Sequence, residues 1–349
     1  MKELTPRQKK ITLVLHVHPG ISSSDVLSYM EEKTALVTIK RDIAALLKAR
    51  YLDSYGKGPS RTYALSTAGK LFLPLDAHAY NAQEPDMRSG SRSFDFELFS
   101  RIPESLFTED EIASLEKATA DYRRRSEHMS SALHQKELER FVVELSWKSS
   151  KIEGNTYTLL DTERLIREGI PAADRSRDET TMILNHKKAF DFALAHKDLY
   201  RGDLTHANIE HIHRLLIEDL RIEIGLRRAP VGITGTVYRP LENQFQIREA
   251  MESLYAAHAR AGDAYTKALL VLAGISYIQP FEDGNKRTAR LVANAILIAH
   301  RRAPLSYRSV DEVAYREAVV VLYEVQSFQP LKKIFLEQYK FAAAQYAGL

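Results

Sequence analysis

Between Tyr277 and Arg290 the chain reads Y-I-Q-P-F-E-D-G-N-K-R-T-A-R, which places one hard carboxylate, a turn glycine and three cations within the eight positions from Asp283 to Arg290. Gly284 lets the backbone turn. Asn285, Lys286 and Arg287 then open a helix, where N–H groups lack intrahelical partners and the helix dipole favours negative charge. Arg287 and Arg290 fall one turn apart at that helix start. This is chemistry for holding a phosphate-like anion. Asp283, just before the turn, suits Mg²⁺, which takes one or two carboxylates beside substrate phosphates. A second informative stretch is Ser149–Asn155, S-S-K-I-E-G-N. There Gly154 reads as a left-handed helix stop, with the Glu153 carboxylate at the helix end.

Helices must position both stretches. Ala268, Leu269, Leu272 and Ile275 recur at helical spacing until Pro280, and Leu291, Ala295, Ile298 and Ala299 begin a second apolar helix after Asn285. Thr108–Thr119 and Asp121–Leu145 read as two helices. Glu163–Arg167 and Thr180–Ala195 continue the series, the latter with Ile183, Ala189, Phe190 and Ala193 inward. Val313–Tyr323 and Leu331–Gln345 close it. The β-rich interval Gly225–Pro240 reads as a hairpin, with Pro230–Ile233 and Val237–Arg239 paired around Thr234–Thr236. His186, His196, His206, His211 and His213 show no zinc spacing, and His211 and His213 diverge on a helix, so they read as core or solvated histidines.

The chain has 349 residues, 44% hydrophobic and 27% charged, enough for a large core and two or three domains. It contains no cysteine. Disulfides, thiolate zinc sites and cysteine nucleophiles are thereby excluded, and a reducing cytoplasm fits. The apolar runs fall far short of the roughly 20 residues of a membrane helix, and Met1–Lys10 is too polar for a secretion signal. A cytoplasmic protein with no membrane partner is expected, and a homo-oligomer is compatible with the sequence. Net charge is +3, yet residues 1–70 hold twelve Lys or Arg against six acids, leaving the remainder net acidic. Such asymmetry suggests a basic module that meets a polyanion.

Within that module Thr5–His16 reads as a helix with Ile11, Val14 and Leu15 inward. Ser22–Ser24 offer an N-cap for a short helix through Met30. After a turn around Glu32–Thr34, a third helix from Val37 to Arg50 buries Ile39, Ile43, Leu46 and Leu47 and leaves Thr38, Lys40, Arg41 and Lys48 outward. Tyr51–Tyr55 and Thr62–Leu65 flank G-K-G-P-S-R as a hairpin with a basic tip. Three helices and a hairpin resemble a winged helix-turn-helix. In that fold Thr38, Lys40 and Arg41 face base edges while Lys57 and Arg61 contact the DNA backbone. From Pro74 to Asp95 the composition turns to Pro, Ser, Gly, Asn and Asp, expected of a linker.

The 277–290 string resembles the Fic family motif, H-x-F-x-(D/E)-G-N-x-R-x-x-R, at Phe281, Asp283, Gly284, Asn285, Arg287 and Arg290. Gln279 stands where the family has its catalytic histidine. The resemblance covers about residues 145–345 and implies AMP transfer from ATP, with Mg²⁺, to a Tyr, Thr or Ser hydroxyl of a protein target. It puts Gly284, Asn285, Lys286 and Arg287 on the phosphates, Arg290 on the γ-phosphate and Asp283 on Mg²⁺. Phe281 is then an apolar anchor. Ser149, Glu153 and Gly154 match the family's inhibitory pattern, (S/T)-x-x-x-E-(G/N), which implies that Glu153 pairs with Arg290. Thr234, Gly235, Thr236, Val237 and Tyr238 fall on the family's flap, which aligns a target by strand addition, and Arg228 sits at its G-x-x-R arginine. A glutamine has no titrating nitrogen, so nucleotide binding with weak or absent transfer is expected. The alternative is a DNA-binding regulator that uses a degenerate Fic domain as a nucleotide sensor. The expected fold is mainly α: a winged helix-turn-helix (1–73), a linker (74–95), a helical extension (96–145) and an all-α Fic bundle with a small hairpin flap (146–349).

Overall fold

In the computed structural model, which describes residues 4–30, 34–127 and 129–347, helices follow one another with a single small sheet near the N-terminus. The order is α1 (Pro6–Val17), β1 (Ile21–Ser22), α2 (Ser23–Ser28), α3 (Leu36–Lys48), β2 (Leu52–Tyr55), β3 (Thr62–Leu65), α4 (Thr67–Leu71), α5 (Ala77–Asn81), α6 (Glu109–Glu127) and α7 (Ser131–Ile152). Then come α8 (Leu159–Glu168), α9 (Arg177–Ala195), α10 (His206–Ile217), α11 (Gln244–Arg260), α12 (Ala264–Ile278), α13 (Asn285–Ala299), α14 (Glu312–Val325) and α15 (Gln329–Gln345). No described helix is long and apolar enough to cross a membrane.

Local chemistry explains the N-terminal elements. Thr5 and Gln8 form a capping box with Pro6 at the first helical position of α1, and Ser22 and Asp25 do the same for α2. Ile11, Leu15, Val26, Ile39, Ile43 and Leu46 are buried together, so the apolar stripes of α1, α2 and α3 face one another. The sheet is antiparallel in the order β1-β3-β2, with Leu52 opposite Leu65 and Tyr55 opposite Thr62. Glu32 and Lys33, in the turn expected before α3, lie outside the described residues. Asp42, on the buried side of α3, is paired with Arg7.

The fold departs from the sequence reading in three places here. Residues 109–127 form one helix with no break at Ala120, because the break waits for Ser130, whose hydroxyl caps α7 by accepting from Leu133 N–H at 3.3 Å. Inside α6, the Thr119 hydroxyl lies 2.6 Å from both Tyr265 OH and Tyr339 OH, fastening that helix to α12 and α15. α7 runs without interruption across the 145/146 boundary expected between extension and bundle. Residues 230–239, expected as a hairpin, contain no paired strands. They run as a strap in which Gly235 O accepts from Arg88, Val237 N–H donates to Glu324 and Arg239 N–H donates to Arg92 O, partners that lie outside any hairpin.

The 74–95 segment, expected as a linker, is fastened along its length. Tyr80 is buried, Asn81 Nδ2 donates to Glu317 O at 3.2 Å, and Phe94 stacks on Tyr277 at 4.8 Å. At the centre of the bundle, α12 and α13 are buried on nearly every side, α12 as expected of a helix apolar around its circumference, α13 with Arg287, Arg290 and Asn294 among its buried residues. α13 packs on α12, α7, α9 and α10, and α12 also on α11 and α14. The turn between α12 and α13 is the 279–284 string, held by the most enclosed pair of helices in the molecule.

Candidate active site

α12 ends at Gln279, whose backbone is left-handed at φ +53°. Holding a non-glycine residue there costs free energy, and such residues persist where their surroundings over-determine them. Here the surroundings do so. The Gln279 carbonyl accepts from Arg227 Nε at 2.7 Å, Pro280 O accepts from Arg227 N–H at 3.0 Å, and the Gln279 amide donates to Ser276 O at 2.6 Å and Tyr323 OH at 3.2 Å. Gln279 is only 7% exposed.

The turn that follows is closed by Asn285. Its side chain accepts from Phe281 N–H and donates to Phe281 O, both at 2.8 Å. Phe281 is fully buried and stacks face to face on His213, with ring centroids 3.7 Å apart, while His213 Nε2 meets Asp283 O at 3.0 Å. Burial pushes the His213 pKa down to about 4, with the bond to the Asp283 carbonyl opposing it, so the ring is neutral at pH 7 and donates from Nε2. Gly284 takes φ +77°, a conformation a side chain would strain. No side chain caps α13. The first-turn N–H groups of Asn285, Lys286 and Arg287 therefore face an anion site.

Three charged side chains line this helix start. The Arg287 guanidinium, buried, reaches Asp283 Oδ2 at 3.3 Å, while the Asp283 carboxylate itself is 66% exposed. Arg290 is fully buried. Its Nε donates to Ser149 Oγ, and one Nη donates both to Ser149 O and to Glu153 Oε1, each at 2.9 Å. Lys286 Nζ donates to Glu153 Oε2 at 3.1 Å. Burial alone would raise the Glu153 pKa, but the charges of Arg290 and Lys286 override it and bring it down to about 2. Arg287 Nη1 and Arg290 Nη1 are buried with no partner. Orphaned guanidinium donors beside an uncapped helix start call for a polyanionic ligand.

The sequence-selected residues thus separate into groups. Gln279, Asp283, Gly284, Asn285, Lys286, Arg287 and Arg290 come together with Ser149, Glu153 and Gly154, the last at φ +98° after the α7 terminus. Asn285 differs from expectation in its side chain, which braces the turn. The flap residues lie behind position 279: Thr236 Oγ1 donates to Glu324 Oε1 at 2.6 Å, and Tyr238 is buried with its hydroxyl on Tyr277 O at 2.8 Å. Arg228 is exposed, and its neighbour Arg227 is the buried residue that grips the turn. Lys40, Arg41, Lys57 and Arg61 are surface residues of the N-terminal module and Thr38 is half-buried there. His213, Arg227 and Glu324 escaped sequence reasoning because each acts on residues far along the chain, or, for Arg227, because its pattern favours the adjacent arginine. A groove of about 1060 Å³ between the N-terminal module and the start of α6, lined by Leu52, Phe72 and Phe107 among others, contains no residue of the motif.

Comparison with known proteins bears on the same part of the chain. Residues 203–297 match the model of the Fic/DOC family. Over 174 residues the chain is 28% identical to a protein adenylyltransferase Fic of Nematostella vectensis, covering 49% of this chain and 41% of that one. Its namesake in Drosophila melanogaster is 29% identical over 155 residues, 44% of this chain and 31% of the other. The matches thus span less than half of these relatives' own length. Among solved structures, a Fic family protein from Desulfovibrio desulfuricans G20 superposes with a TM-score of 0.57 at 19% identity, over 70% of this chain and 76% of that one. Fic-1 from C. elegans gives 0.55 at 18%, over 68% and 72%. The mainly helical body therefore has the fold of these Fic proteins, and the match to the Fic/DOC family model falls on residues 203–297.

Proposed function

We propose that the chain is a Fic-type protein adenylyltransferase that binds Mg·ATP, is held off by Glu153 and is slowed by Gln279. The observation that carries this reading is the Glu153 carboxylate bonded to both Arg290 and Lys286, with a further Nη of Arg290 left unpartnered. A carboxylate and a terminal phosphate compete for one guanidinium. Bound Mg·ATP would supply the AMP group and a pyrophosphate leaving group. The first-turn N–H groups of α13, Lys286 and Arg287 would hold phosphate oxygens, Arg290 the outermost of them, and the exposed Asp283 carboxylate the Mg²⁺.

The attacking hydroxyl must lose a proton as its oxygen bonds to phosphorus. Gln279 cannot accept it: a carboxamide does not titrate, and its NH₂ already donates inward to Ser276 O and Tyr323 OH. Loss of a general base costs about 10²–10⁴ in rate. Replacing Gln279→His together with Glu153→Gly should therefore raise transfer of labelled AMP onto protein by about that factor. A doubly substituted protein that binds Mg·ATP yet transfers nothing would refute the catalytic assignment.

A second reading is supported by the exposed Lys40, Arg41 and Lys57 of the N-terminal module. In it, residues 1–73 form a winged helix-turn-helix that binds DNA, with α3 in the major groove, and the Fic domain acts as a nucleotide sensor. Affinity for duplex DNA should then fall steeply with salt, by about one logarithmic slope unit per phosphate contact. The two readings part on one result: the sensor reading requires Mg·ATP to change DNA affinity while no AMP becomes attached to protein.

A further inference from the structure

Ile152 is the last core residue of α7, and Glu153 stands one position beyond it. The chain after Glu153 is fixed to the start of α9. Glu179, in the first turn of α9, receives four donors: Oε1 accepts from Thr156 N–H at 2.8 Å and Thr156 Oγ1 at 2.6 Å, and Oε2 accepts from Ser176 N–H at 3.1 Å and Ser176 Oγ at 2.9 Å. The Glu179 carbonyl accepts from Asn155 Nδ2 at 2.9 Å, and Asn155 N–H closes back on Ser150 O at 3.1 Å. Tyr157 is buried with Leu165 and Ile183 in a small core apart from the main one, and its hydroxyl lies 2.6 Å from Thr180 Oγ1. Gly154, at the corner between Glu153 and this segment, has no atom within 4 Å of the place a Cβ would take.

The Ser176 half of this arrangement is a capping box for α9. The Thr156 half adds nothing that a helix start requires. The Thr156 hydroxyl does most to bring the Glu179 pKa from 4.5 down to about 2, so the carboxylate is charged throughout the neutral range. Hydrogen bonds to a charged acceptor are roughly twice as strong as neutral ones, and two of them end on the residue three positions after Glu153. We propose that Glu179 is a positioning residue for the Glu153 contact, tying residues 155–157 to α9 so that the end of α7 keeps its carboxylate on Arg290 and Lys286. A phosphate that takes Arg290 must displace Glu153, and the corner yields only against the bonds to Glu179. Nucleotide affinity is thereby coupled to a carboxylate that touches none of the residues at the α13 helix start. The coupling rests on the reading of Glu153 as the competitor of the nucleotide; the tie between 155–157 and α9 does not.

The test uses the full chain, read by amide exchange without nucleotide and by titration calorimetry with Mg·ATP. Glu179→Ala should raise exchange at Glu153, Gly154 and Asn155 by at least about tenfold, and should tighten Mg·ATP binding by at least about fivefold. Thr156→Val, which keeps the N–H and loses the hydroxyl, should act in the same direction to a smaller extent. Ser176→Ala removes the capping hydroxyl of α9 alone and should leave Mg·ATP affinity unchanged, which separates positioning from helix capping. In the Glu153→Gly chain, Glu179→Ala should add no further gain, because the contact it positions is already gone. Any of four results would overturn the proposal: unchanged exchange at Glu153, Gly154 and Asn155 in Glu179→Ala; no tightening in Glu179→Ala where Glu153→Gly does tighten; an equal gain from Ser176→Ala; or a full gain from Glu179→Ala in the Glu153→Gly chain. Failure of Glu153→Gly to tighten binding would instead count against the competitor reading, and the exchange result, which involves no nucleotide, would still decide the tie.

Discussion

Two carboxylates, one partly and one wholly buried, lie near the 279–284 turn, each held by a guanidinium, and they differ in what could release them. Glu153 takes Arg290 and Lys286, the cations a polyphosphate would want. Glu324 takes Arg88, Tyr80 and the strap, none of which faces the α13 helix start. The first contact is therefore open to displacement by a ligand, while the second yields only when a length of chain moves. One fold thus carries a carboxylate contact at the α13 helix start and a second, more enclosed one between α14 and the strap. α14 serves both, since Glu312 in its first turn pairs with Lys148 at 2.5 Å and steadies the end of α7, while Glu324 near its last turn holds the strap.

The comparison is broken most forcefully at Glu324. Glu324→Leu leaves Arg88, whose side chain is 4% exposed, without its carboxylate, and should cost about 3–5 kcal/mol of stability in chemical denaturation. Because none of its partners lies at the helix start, Mg·ATP affinity of the folded variant should be unchanged. A smaller loss is expected at Asn285, on the side of the Glu153 contact. Asn285→Ala strands the buried N–H and C=O of Phe281 and should cost about 1–3 kcal/mol, with weaker Mg·ATP binding because the helix start loses its brace. The least effect concerns pH. The folded pKa of Glu153 is depressed from 4.5 to about 2, so the contact stabilises fully above about pH 4.5 and is lost as pH falls toward 2. Between pH 6 and 8 the stability difference between wild type and Glu153→Gln should therefore be flat, which thermal melts across that range would check.

The same contrast marks what the sequence could convey. The turn, its flanking helices and the Ser149–Glu153–Gly154 terminus are local patterns, a helical stripe, a turn glycine and cations one turn apart; that Glu153 meets Arg290 across 137 positions is not a local pattern. The strap was misread because Val231, Ile233, Thr236, Val237 and Tyr238 have strand-forming side chains, while the groups that claim its backbone, Arg88, Arg92 and Glu324, lie more than 80 positions away. Pro74–Asp95 reads as a linker from composition alone. Its composition is that of a tether, and nothing local reveals that Tyr80, Gly90 and Phe94 fit the surface of the bundle. His213 is invisible in the same way, meeting Asp283 across 70 positions.

Titration calorimetry with Mg·ATP on wild type and on Glu153→Gly tests the Glu153 contact most directly. Freeing Arg290 and Lys286 should tighten binding by at least about tenfold, as expected when a competing charged partner is removed, and adding Arg290→Ala to Glu153→Gly should abolish most of that gain. Equal affinities for wild type and Glu153→Gly, or no heat from either, would contradict the account.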